Sequence, residues 1–196
     1  MPRRALVAVG LAAAAGSVAI ATLLRKPAPE TVLVPVSAQE PPAKLHDMAA
    51  MVLADPVRPL PSFSFLDANG ASHTVAEFSG RGVVLNLWAT WCAPCVAELP
   101  SLAALAPRAA AAGIVVLPLS LDREGATVVQ SFFAAHGITD LPVWSDPKGV
   151  SEQVLGVRGV PTTFILDRQN REVALLEGAA DWGSDAALAR IRTLVG

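Results

Sequence analysis

Residues 5–24 form a run of 20 without a charge, in which only Gly10, Gly16, Ser17 and Thr22 fall outside the apolar class. At about 1.5 Å of rise per residue a helix of this length just crosses a hydrocarbon core of roughly 30 Å, so the run predicts a transmembrane anchor within residues 1–26. A cleavable signal peptide is the alternative reading, with Ala19-Ile20-Ala21 as a small-x-small site, although the apolar stretch of a signal is usually only about 7–15 residues. Arg3 and Arg4 favour a cytoplasmic amino terminus, and Arg25 and Lys26 weakly oppose it.

From residue 27 the pattern changes. Prolines at 27, 29, 35, 41, 42, 56, 59 and 61 mark residues 27–58 as an extended spacer. Within it Leu45, Met48, Ala49 and Val52 recur at i, i+3, i+4 and i+7, which predicts one short helix over residues 44–54, stopped by Asp55-Pro56.

Residues 59–196 read as one α/β domain. Short strands at 63–66 and 73–75, joined by the turn Asp67-Ala68-Asn69-Gly70, predict an N-terminal edge hairpin. Residues 82–89 are almost continuously apolar, as a central strand covered on both faces should be. A helix is predicted from 92 to about 112, bent or interrupted at Pro100 and Pro107. A strand at 114–121, a helix at 126–136 with its stripe of Val128, Val129, Phe132, Phe133 and His136, and a strand at 141–145 continue the alternation. Strands at 162–166 and 172–177 make a second hairpin, and residues 184–195 a last helix on the stripe Ala187, Leu188, Ile191 and Leu194. Strand and helix in alternation imply a parallel sheet with crossover helices.

A mean hydropathy of +0.47 is high for a soluble protein, and the excess is concentrated in the N-terminal run. Four of the 15 basic residues and none of the 17 acidic ones lie in residues 1–26, which leaves the remainder at −6. That balance argues against a nucleic-acid partner, which calls for a basic face. The two cysteines, Cys92 and Cys95, are too few for a disulfide scaffold and stand three apart.

Trp91-Cys92-Ala93-Pro94-Cys95 falls where the buried strand ends and a helix begins. Residues i and i+3 of a helix have Cβ atoms about 5–6 Å apart, so the pair can open and close as a disulfide with little movement. Cys92 at the helix start meets free backbone N–H groups and the positive end of the dipole, which favour thiolate and make it the expected nucleophile. Cys95, one turn deeper, is the expected resolving thiol. Pro94 suits a first helical turn, and Ala93 leaves the sulfur uncrowded. Trp91 is the expected contact surface beside the pair, with Trp88 packed nearby. An inert disulfide and a metal half-site are the competing readings. Zinc needs about four ligands, and His46, His73 and His136 are scattered over unrelated elements, so no metal and no other cofactor is expected.

Asn86-Leu87-Trp88-Ala89-Thr90-Trp91-Cys92-Ala93-Pro94-Cys95, then Glu98-Leu99-Pro100, and later Gly159-Val160-Pro161-Thr162-Thr163-Phe164, resemble the TlpA/ResA branch of the thioredoxin superfamily. The resemblance implies a thioredoxin-like fold with a central mixed sheet flanked by helices. The 69 residues from Cys92 to Pro161 would then include the central αβ insertion of that branch. It also implies that Pro161 is a cis-proline facing the disulfide and that Val160 offers its backbone to a substrate, alongside contacts from Trp91, Ala93 and Pro94. Glu98 matches a glutamate of related reductases and is a candidate proton acceptor for Cys95, and Asn86 stands where thioredoxin itself has a buried aspartate.

Members of this branch are membrane-anchored reductants, so the resemblance implies a protein-disulfide reductase of the bacterial inner membrane with its catalytic domain in the periplasm, acting as a monomer. Its partners would be apocytochrome c or copper-site assembly proteins with oxidised cysteine pairs, and a transmembrane thiol electron donor. Two other functions stay open, a dithiol oxidant of exported proteins and a non-catalytic copper carrier on the two thiolates.

Overall fold

The computed structural model of the chain describes residues 45–196. The expected anchor and most of the expected spacer lie outside the described residues. Among the described residues no helix is long and apolar enough to cross a membrane.

Among the described residues eight strands, β1 (Val52–Pro59), β2 (Ser64–Asp67), β3 (Ser72–Thr74), β4 (Gly82–Trp88), β5 (Ile114–Ser120), β6 (Trp144–Ser145), β7 (Thr162–Leu166) and β8 (Arg171–Glu177), form one mixed sheet in the order β1-β8-β7-β4-β5-β6-β2-β3. β4 (Gly82–Trp88) lies inside it, parallel to β5 (Ile114–Ser120) and antiparallel to β7 (Thr162–Leu166). Every residue of β4 is buried, which is why it reads as an apolar run. The pleat sends Val83, Leu85 and Leu87 into one apolar layer with Phe63, Phe65 and Phe78, and Val84 and Trp88 into the other. This second layer holds Leu99, Leu102 and Leu105 of α1 (Ala93–Ala111), Phe133 of α2 (Ala126–His136) and Ile191 of α4 (Asp185–Val195). Asn86 is the one polar position in β4, in register between Val84 and Trp88.

The expected edge hairpin is present as β2 (Ser64–Asp67) and β3 (Ser72–Thr74), with β3 at one margin of the sheet. Asp67 closes its turn by accepting from the N–H groups of Asn69 and Ala71, both at 2.8 Å. The second hairpin joins β7 to β8 (Arg171–Glu177). α1 runs unbroken through Pro100 and Pro107. Both prolines are exposed, so the carbonyls they leave without an intrahelical donor belong to the solvent side, and the face bearing Leu99, Leu102 and Leu105 stays packed.

The helix expected over residues 44–54 is not formed. Asp47 caps a single 3-10 turn, Met48–Ala50, and the chain then extends as β1 (Val52–Pro59), antiparallel to β8 at the other margin of the sheet. The free edge of β8 supplies ladder hydrogen bonds that a two-turn helix on the surface could not match, and the buried residue is Met51 rather than the predicted stripe, with Val52 exposed. Prolines are tolerated there because β1 is an edge strand whose register shifts between Leu53 and Arg58. The sheet therefore begins inside the segment read as spacer. The strand expected at 141–145 shrinks to β6 (Trp144–Ser145), since Pro142 cannot donate to a ladder. A six-residue helix, α3 (Val150–Leu155), follows between two left-handed glycines, Gly149 and Gly156, and was not anticipated.

Gly82 opens β4 against the end of α4, where a Cβ would lie 2.7 Å from Cβ of Val195. Gly82→Ala is expected to lower the unfolding free energy by about 1–3 kcal/mol through this overpacking, measured by urea denaturation. An unchanged midpoint would mean that the C-terminal turn of α4 moves aside freely.

Candidate active site

β4 ends at Trp88, the chain turns through Ala89, Thr90 and Trp91, and α1 begins, with Cys92 as its N-cap. Cys92 and Cys95 form a disulfide with Cα atoms 5.2 Å apart. Sγ of Cys92 accepts from the N–H of Cys95 at 3.2 Å, a direct contact between sulfur and the unsatisfied donors of the first helical turn. The two sulfurs are unequal in access, for Cys92 keeps 6% of its surface and Cys95 none.

The loop before β7 faces this pair. Its Val160–Pro161 peptide is cis, and Sγ of Cys92 lies 3.5 Å from the carbonyl oxygen of Val160. Trp91 is 70% exposed and, with Leu121, Arg123, Arg158 and Val160, lines an open groove of about 660 Å³ beside the disulfide. Ala93 is exposed and Pro94 half-buried in the first turn of α1, outside the lining of that groove. Trp88 is buried in the same apolar layer as both cysteines, with its ring stacked on Phe133 at 5.5 Å.

Glu98, one turn beyond Cys95, is fully buried. Its Oε2 accepts from the backbone N–H of Ala180 at 2.8 Å and the indole N–H of Trp182 at 2.9 Å, and its Oε1 from Nδ2 of Asn86 at 2.8 Å. Burial pushes the Glu98 carboxyl above the ordinary carboxylate range, while these three donors pull it back toward the anion. Nδ2 of Asn86 also donates to Oγ1 of Thr163 at 2.9 Å, and Oδ1 of Asn86 has no partner. A half-turn of this amide would offer Oδ1 to a protonated Glu98 and to the Thr163 hydroxyl, so Asn86 can donate to the ionised carboxylate or accept from the protonated one. Asn86, Glu98 and Thr163 all stand within the sequence motifs. Trp182, which stands outside those motifs, is a direct donor to the carboxylate, and Ala180 contributes only its backbone, which no side-chain pattern reveals.

The AhpC/TSA family matches residues 56–173. The thiol-disulfide oxidoreductase ResA of Bacillus thuringiensis subsp. konkukian is 31% identical over 118 residues, 60% of this chain and 67% of that protein. Among solved structures, a Chlorobium tepidum protein with the provisional name thiol:disulfide interchange protein DsbE is 26% identical, with a TM-score of 0.63, over 71% of this chain and 97% of that one. The exposed lipoprotein thioredoxin Etrx1 of Streptococcus pneumoniae is also 26% identical, with a TM-score of 0.58, over 68% of this chain and all of that one, 100%. With a redox pair at the head of α1, a cis-proline loop opposite it and these relatives, the chain belongs to the AhpC/TSA family, on a thioredoxin-like fold, as a thiol-disulfide oxidoreductase of the ResA and DsbE type.

Proposed function

We propose that the protein is a reductant of cysteine pairs outside the cytoplasm, held to the bacterial inner membrane by residues 1–26 and serving the maturation of cytochrome c or of oxidase copper sites. The observation that carries this reading is the unequal access of the two cysteines, with Cys92 keeping 6% of its surface at the head of α1 and Cys95 none, one turn from a buried carboxyl. The Cys92 thiolate attacks a substrate disulfide and expels one substrate thiolate, forming a mixed disulfide. Cys95 then gives up its proton, attacks Sγ of Cys92 and releases the second substrate thiolate. Two electrons have passed to the substrate, and the Cys92–Cys95 disulfide is left for a transmembrane thiol donor to reduce. Glu98 takes the Cys95 proton in this scheme, its raised affinity for protons suiting it to the exchange. The uncharged N-terminal run and the relative named an exposed lipoprotein support an extracytoplasmic site.

Cys95→Ser in the full chain, expressed in membranes, should hold partners on Cys92 as mixed disulfides. Proteins of haem attachment or copper-site assembly are the expected catch. A broad set of exported proteins would overturn the reading in favour of a disulfide-forming oxidant.

A further inference from the structure

β5 ends at Ser120, and Leu121-Asp122 follow it beside the turn that carries Cys92. Asp122 is buried, and its carboxylate takes three donors. Oδ2 accepts from the N–H of Thr90 at 2.9 Å and the Ser120 hydroxyl at 2.7 Å, and Oδ1 accepts from the Thr90 hydroxyl at 2.7 Å. Bonds to an ionised acceptor are about twice as strong as neutral ones, and an acceptor-only group is what three converging donors need. Thr90 is two residues before Cys92, and Leu121 beside Asp122 donates its N–H to the carbonyl of Trp88 at 2.9 Å. The β5–α2 loop is thus fastened to both ends of the Trp88–Thr90 segment. The same loop supplies Leu121 and Arg123 to the groove wall facing Trp91.

We propose that Asp122 is a positioning residue for the thiol chemistry, holding through the Thr90 hydroxyl the turn that sets Cys92 at the head of α1 and Trp91 at the lip of the groove. The role rests on Cys92 being the nucleophile. Stabilisation of a thiolate by helix N–H groups is confined to the first turn, so its strength depends on where the preceding turn delivers the sulfur. Asp122 touches neither sulfur in this arrangement, and its effect on the chemistry passes through Thr90.

The test uses the full chain with Cys95→Ser, so that Cys92 is the sole thiol, and follows iodoacetamide alkylation across pH alongside the thermal midpoint. Thr90→Val removes the hydroxyl bond at constant shape. It should move the Cys92 ionisation to higher pH and slow alkylation at neutral pH by roughly three- to tenfold. Thr90→Ser, which keeps the hydroxyl, should restore the parent profile, and Thr90→Ala carries the same measurement if valine is not accommodated. A Thr90→Val profile superimposed on the parent's, whatever its thermal midpoint, would overturn the assignment, as would failure of serine to restore it. A parent protein that itself titrates as an ordinary thiol would instead sink the nucleophile reading, a separate outcome visible before any Thr90 variant is made.

Discussion

Cys92→Ala is expected to abolish protein-disulfide reduction, with turnover lower by at least about a thousandfold, or roughly 4 kcal/mol of lost barrier lowering. Cys92 is the one cysteine of the pair that keeps any surface, and its sulfur is the one that the N–H of Cys95 reaches at 3.2 Å. No other thiol can replace it, because Cys95 is fully buried. Cys95→Ala should also stop turnover but should leave the first exchange intact, so that a substrate disulfide still becomes covalently attached at Cys92. Mass spectrometry of the two variants after mixing with an oxidised protein separates the roles. Adducts on Cys95 in the Cys92→Ala protein would reverse the assignment.

Glu98 is the second position where a single change should be severe. Glu98→Ala leaves the N–H of Ala180, the indole of Trp182 and the amide of Asn86 without their acceptor in a fully buried place, a loss of about 3 kcal/mol or more. A loss under about 1 kcal/mol by urea denaturation would mean that water enters and satisfies the donors. Glu98→Gln is far milder, since one amide oxygen can keep Ala180 and Trp182 while the new N–H group meets Oδ1 of a turned Asn86.

The pH dependence of the two forms should differ in a definite direction. The folded state holds the Glu98 proton more tightly than the unfolded chain does. Its contribution to stability is therefore fully present below the ordinary carboxylate range and is lost as pH rises through the raised folded value. Glu98→Gln lacks that decline, so the stability of the variant relative to the parent should rise with pH across this window. Parallel stability curves for the two proteins would show that Glu98 does not carry the shift.

The active-site pair was legible in the sequence because everything that defines it is local, a buried strand, a short turn and a helix start within residues 82–95. Asn86 and Glu98 entered only through the resemblance of the motifs that hold them. Trp182 was not legible, although its indole reaches Glu98, because the two are 84 residues apart and meet only after the strands between them have assembled. Asp122 likewise looks like any loop acid until β5 is placed beside β4. The strand β1 was hidden by Pro56 and Pro59, which argue against a strand wherever its place in the sheet is unknown. Helix α3 was hidden by its length, six residues being too few to show a period.

The two margins of the sheet have a consequence for crowded conditions. An open ladder invites a neighbouring molecule to add its own backbone, the first step toward fibrillar stacking. At one margin β3 offers only three residues, Ser72–Thr74, and at the other Pro56 and Pro59 remove two donors from a strand already broken in register. Neither border presents a long, regular row of hydrogen-bonding groups, so templated growth from this domain is blunted on both sides.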